Sequence, residues 1–177
     1  METKPKKQRV VQPCTGLSQE IERWLWALED TRTRTLESLQ GLTVEMVEAM
    51  PYKGGSNIGT VLYHLAAIEL SWLYEDVLQQ DFPAELDALF PYPVRDDQDH
   101  LHQVKGESLE THLRRLEATR AHLLEVYRRM SFEEFRQPRN LADYDVSPEW
   151  VLHHLMQHEA EHRGQIGEIK MLVGNMP

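Results

Sequence analysis

The stretch SNIGTVLYHLAAIELSWLYEDVLQ, residues 56–79, limits the fold more than any other. Its spacing is helical, from about Asn57 to Gln80, with Ser56 placed to cap it. Ile58, Val61, Leu62, Leu65, Ile68, Leu70, Trp72, Leu73, Val77 and Leu78 leave hardly any polar side. Such a helix must be buried on more than one face, so the rest of the chain has to surround it.

The remaining periodic segments are helical too. From about Ser18 to Met50, the residues Ile21, Trp24, Leu25, Leu28, Leu36 and Leu39 recur at spacings of one buried face. Gly41-Leu42-Thr43 is a candidate interruption, and Pro51 with Gly54-Gly55 ends the segment. From about Ser108 to Met130, the inner face is Leu109, Leu113, Leu116, Leu123, Val126 and Tyr127, and the Arg- and Glu-rich face is read as solvated. A last helix opens at Ser147-Pro148-Glu149, a cap followed by proline at the first helical position. Val146 and Val151 form a hydrophobic staple around it. It runs to about Val173, with Gly174 closing it.

No segment alternates apolar and polar residues between turn signals, so no strand is expected. The fold class is all-α: a four-helix bundle with a long crossover link between helices 2 and 3. That link, about Asp81 to Gly106 with Pro83, Pro91 and Pro93, is long enough to cross the bundle and let the two helices run parallel. The link from Ser131 to Val146 is also long, and long links often cover a site.

Composition narrows the function classes. The 177 residues are 41% hydrophobic and 27% charged, as in a globular domain, with a net charge of −10. No basic stripe follows the first ten residues, which argues against nucleic acid as a partner. No run of about 18 apolar residues offers a membrane span. One cysteine, Cys14, allows no internal disulfide and fits a reducing compartment, so the location expected is cytoplasmic. Residues 1–16, with Lys4, Lys6, Lys7 and Arg9, read as a flexible basic arm before a single domain at 17–177.

Chemistry concentrates in the last helix. Val151, Leu155, His158, His162, Gln165, Ile169 and Leu172 repeat at four and three, the register of a bundle core. His158 and His162 therefore point inward, one turn apart, where buried imidazoles need partners. A shared metal ion would satisfy both. The run HEAEH, residues 158–162, also matches the H-E-x-x-H motif of zinc proteases. The rest of that motif is missing. Gln165 and Glu168 stand where one class needs glycine and a third histidine, and only fifteen residues follow His162.

The third ligand should then lie upstream. His64, between Val61 and Ile68, occupies a position where an apolar residue is expected. His100 and His102 fall in the long link, and His112 and His122 read as flanking surface residues. His154 could face inward but is read as a residue flanking the ligands, and His153 points away. Glu159, about 100° round the helix from His158, has three readings. It is a general base, a hydrogen-bond support for a ligand, or a solvent residue. Arg163, Gln165, Glu69 and Glu75 are read as structural.

The segments SNIGTVLYHLAAIELSWL and VSPEWVLHHLMQHEAEHRGQIGEI resemble the DinB/YfiT-like superfamily of bacterial metal-binding four-helix bundles. H-L-x-x-x-E-x-x-W in the first and H-E-x-x-H-R-G-Q-I in the second carry the likeness. It implies a metal triad of His64, His158 and His162, one nickel or zinc ion per chain, and a homodimer. Three functions then stay open. They are a metal-dependent transferase acting with a low-molecular-weight thiol, a hydrolase or isomerase using metal-activated water with Glu159, and a non-catalytic metal-binding stress-response protein.

Overall fold

A computed structural model describes residues 18–174. The basic arm and Cys14 lie outside the described residues. Four long helices form the bundle: α1 (Gln19–Ser38), α3 (Ile58–Ser71), α5 (Leu109–Arg129) and α7 (Pro148–Gly174). Between them lie the short helices α2 (Val44–Glu48), α4 (Ala84–Asp87) and α6 (Phe132–Arg136). The expected break near Gly41 is real and separates α1 from α2. α3 is capped by Asn57 rather than Ser56: the Asn57 side chain accepts a hydrogen bond from the Thr60 amide at 2.7 Å. It continues as a π-helical turn, Trp72–Leu78, which Gln79 ends in the left-handed conformation (φ 53°).

Paired contacts give the helix directions. Tyr63 meets Arg115, Glu69 meets Arg120 and Tyr74 meets His122, so α3 and α5 run parallel. Trp24 meets His153, Arg32 meets Glu159 and Lys170 meets Ser38, so α1 and α7 also run parallel. His64 meets His158 while Trp72 meets Trp150, so α3 and α7 are antiparallel. The order is up-down-down-up, and the residues between Gln79 and Ser108 make the expected crossover. That link is fastened to α3. The Tyr63 hydroxyl donates to the Tyr92 carbonyl at 2.6 Å, and the Val104 amide donates to Thr60 Oγ1 at 2.9 Å. The link thus covers the side of α3 that the other helices leave open, which is why α3 is apolar all round.

Two details depart from the sequence reading. A two-stranded antiparallel pair, β1 (Arg139–Asn140) and β2 (Asp145–Val146), sits in the link before α7. Two-residue strands are too short to show alternation. Several faces are also rotated. Leu36 and Leu172 are exposed, at 42% and 37%, while Arg32 and Thr35 are buried on α1 and Glu159 and Ile166 on α7. On α5, Arg115 and Arg120 are buried rather than solvated, and His112 is fully buried rather than a surface residue.

The core has two large apolar clusters and a third, small one where Tyr63 and Ala67 meet Val104 of the link. Of the large clusters, one joins Leu25, Leu28, Leu70, Leu73, Leu123, Tyr127, Leu152 and Leu155. The other joins Leu39, Ile58, Leu62, Leu65, Leu116, Ile166 and Ile169. Along every helix the boundary falls at one charged residue: Arg32 on α1, Glu69 on α3, Arg120 on α5 and Glu159 on α7.

Candidate metal centre

α3 and α7 bring His64, His158 and His162 together. His158 Nε2 lies 3.1 Å from His64 Nε2 and 3.1 Å from His162 Nε2, and the ligand atoms of all three lie within 4.8 Å of one another. Among the described residues this is the one group of three or more His, Cys, Asp or Glu side chains so placed.

Proton accounting shows that the cluster suits a cation. His162 Nδ1 lies 2.8 Å from Gln165 Oε1, an acceptor, so His162 carries its proton on Nδ1 and turns the Nε2 lone pair toward its neighbours. One neutral His158 Nε2 is either a donor or an acceptor, so it cannot satisfy both 3.1 Å contacts. Added protons do not solve this either. Burial, then the neighbouring His162, pushes His64 down to about 4. Burial, then His162, His64 and His154, pushes His158 down to about 3. Both rings are neutral at pH 7, the form that ligates metal. Nitrogens held about 2.1 Å from one zinc ion stand roughly 3 to 3.4 Å apart, the size of spacing seen. His64 Nδ1 is buried with no hydrogen-bond partner among the described residues.

Beneath the histidines lies the charged layer. Arg32 Nε donates to Glu159 Oε1 at 2.8 Å and Arg32 Nη2 to Glu69 Oε2 at 2.9 Å. Arg120 donates to both Glu69 oxygens at 2.8 Å and to Glu159 Oε2 at 3.0 Å. Arg32 Nη1 also donates to the Leu116 carbonyl, and Arg120 Nη1 to the Leu28 carbonyl and Glu29. Burial pushes the Glu69 carboxyl up, but Arg120 and then Arg32 outweigh it and hold Glu69 below its usual range. Two guanidinium groups meet the two buried carboxylates, and Arg120 also reaches the half-exposed Glu29, so the buried polar atoms of the layer are paired.

This placement bears on the general-base reading of Glu159. Both its oxygens are taken by arginines and it is 2% exposed, so it offers no free carboxylate to the histidine cluster. Glu69 is structural, as read, and exposed Glu75 accepts from Ser71. Arg163 donates to the Thr31 carbonyl, a packing role. His154 stands beside the cluster, its ring 5.9 Å from that of His158 and stacked on Trp150 at 5.1 Å. His100 and His102 stay in the link, where His102 stacks on Tyr92.

The family profile described as the DinB superfamily matches residues 27–166. The chain belongs to the DinB superfamily. Two solved structures share its fold. A conserved protein from Enterococcus faecalis is 17% identical, with a TM-score of 0.65 over 86% of this chain and 96% of that one. YfiT from Bacillus subtilis is 17% identical, with a TM-score of 0.61 over 92% and 93%. YfiT is described as a probable metal-dependent hydrolase with an unusual four-helix bundle topology. No curated protein matches the chain. No described helix of this superfamily member is long and apolar enough to cross a membrane.

Proposed function

We propose that this DinB-superfamily protein binds one divalent metal ion through His64, His158 and His162 and acts as a metal-dependent enzyme of the hydrolase type. The observation that carries the reading is the convergence of three imidazole nitrogens that neutral rings cannot satisfy among themselves. A divalent ion on three imidazoles supplies Lewis acidity and acidifies the protic groups that reach it. Nickel or zinc suits the donor set. The description of YfiT as a probable metal-dependent hydrolase supports the same class.

The chain's own residues would prepare the site. Gln165 fixes the His162 tautomer, and burial keeps His64 and His158 unprotonated. Glu159 acts as a positioning residue: its bonds to Arg32 and Arg120 hold the α7 register that presents its neighbour His158. The thiol-transferase reading needs free basic groups for an anionic thiol. Near the cluster, Arg95 is close enough to lower the His64 pKa and is itself 3.5 Å from Asp99, so an anionic thiol would meet a cation that already has a carboxylate partner. The description of YfiT is what favours the hydrolase reading. The homodimer belongs to the same proposal, and analytical ultracentrifugation reads it.

Cobalt substitution tests the reading. Wild-type protein should take up about one cobalt per chain with visible bands of nitrogen ligation, and metal-loaded protein should cleave members of an ester and amide panel. Uptake without hydrolysis, together with a band shift on adding thiols, would favour the transferase instead. Tight uptake with no response to any ligand would leave the non-catalytic metal-binding role.

A further inference from the structure

We propose that the cleft at the N-terminal end of α7 binds a small organic cation, an ammonium group carried on a flat apolar body, beside the metal centre. The cleft has a volume of about 550 Å³, in the range of small-molecule sites. Its aromatic wall is Trp72, Tyr144 and Trp150. Trp72 lies 5.6 Å from Trp150 and 6.2 Å from Tyr144, ring centre to ring centre. Tyr144 and Trp150 are 48% and 47% exposed, with one face of the Trp150 ring stacked on His154, so about half of each residue is left open to solvent.

Charge selects the ligand. Arg136 is partnered by Glu149 and rests over the Phe132 ring at 5.8 Å. Asp145 remains as a further carboxylate in the lining, and Asp76 stands behind Tyr144, whose hydroxyl donates to it at 2.6 Å. The α7 N-terminus offsets these charges only in part: Pro148 has no amide proton, the Trp150 amide is held by Ser147 Oγ at 3.2 Å and the Val151 amide by the Ser147 carbonyl at 3.1 Å, and the half-charge of the helix end is smaller than the carboxylate excess. Open ring faces backed by carboxylates attract ammonium groups and repel anions.

The local backbone serves this arrangement. Trp72 and Asp76 both sit on the π-helical turn that follows α3, and such turns are frequent at functional sites. His154 connects the aromatic wall to the histidines: its ring centre is 4.7 Å from that of Trp72, 5.1 Å from that of Trp150 and 5.9 Å from that of His158. That the bound cation is the substrate rests on the metal-centre reading. Binding itself does not.

Calorimetry with benzyltrimethylammonium, benzyl alcohol and benzoate tests the idea, with indole N–H signals followed by NMR. The cation should bind about tenfold more tightly than the alcohol, and benzoate more weakly still. Signals of Trp72 and Trp150 should move, and those of Trp24 and Trp26 should not. Trp150→Leu keeps an apolar side chain at a half-exposed position. It should weaken the cation about fivefold or more with an unchanged thermal melt. Chelator-stripped protein and His158→Ala should still bind the cation, so a failed metal centre would not be mistaken for a failed cleft. Benzoate binding as well as the cation, all three probes binding alike, or no Trp72 and Trp150 shifts at millimolar cation would overturn the proposal.

Discussion

His162 shows how little separates a half-buried histidine from a ligand. Its ring is aimed by one hydrogen bond, from Nδ1 to Gln165 Oε1. Gln165→Leu removes the acceptor, and the expected result is a metal affinity weakened about 10- to 100-fold with the fold intact. Competition with a chromophoric chelator measures it, and an unchanged affinity would count against the tautomer argument. His112 makes a different prediction. Burial pushes its ring down to about 4, against the pull of Glu107, so it is neutral in the fold. An unfolded histidine takes up its proton near 6.5. The unfolded chain therefore binds more protons below that value, and stability falls as pH drops from 6.5 toward 4. In chelator-treated protein, His112→Gln should lose less stability than wild type between pH 7.5 and 5 in urea titrations. Equal losses would show that His112 is not part of the effect.

At the scale of the element, each long helix contributes one buried charge to the layer between the two large apolar clusters. The histidines were legible in the sequence because they interrupt an apolar register, and the same signal was present for the charges. Arg32 follows Leu25 and Leu28 at three and four, Arg120 lies between Leu116 and Leu123, and Glu159 follows Leu152 and Leu155. Arginine and glutamate are ordinary on solvated faces, so the interruption reads as surface unless all four helices are compared. The π-helical turn and the two-residue strands leave no periodic trace at all. Replacing Arg120 by Met leaves buried carboxylates short of partners and should cost about 3–5 kcal/mol of unfolding free energy. Urea denaturation measures this, and a loss under about 1 kcal/mol would mean that solvent reaches the layer.

On the scale of the whole molecule, the bundle is ordered by its crossover. The apolar character of α3 already required cover on several sides, and the proline-containing link supplies one of them. The parallel pairing followed from link length. What sequence could not supply was the rotation of each helix, because a shift of one residue exchanges Leu172 for Val173 at nearly equal hydrophobicity. The candidate site spans α3 and α7, far apart in sequence, so a bound ion would clamp two antiparallel helices. Zinc or nickel at about 100 times its dissociation constant should stabilise the wild type by about 2.7 kcal/mol. The same ion should leave a His64→Ala variant nearly unmoved in thermal melts.

The most direct measurement is metal stoichiometry by elemental analysis. It would be made on wild-type protein and on His64→Ala, His158→Ala and His162→Ala, each dialysed against the same nickel and zinc buffer. About one ion per chain in the wild type, with a large loss in each variant whose helical circular dichroism is retained, is the predicted result. Negligible metal in the wild type, or equal metal in all four proteins, would contradict the three-histidine centre.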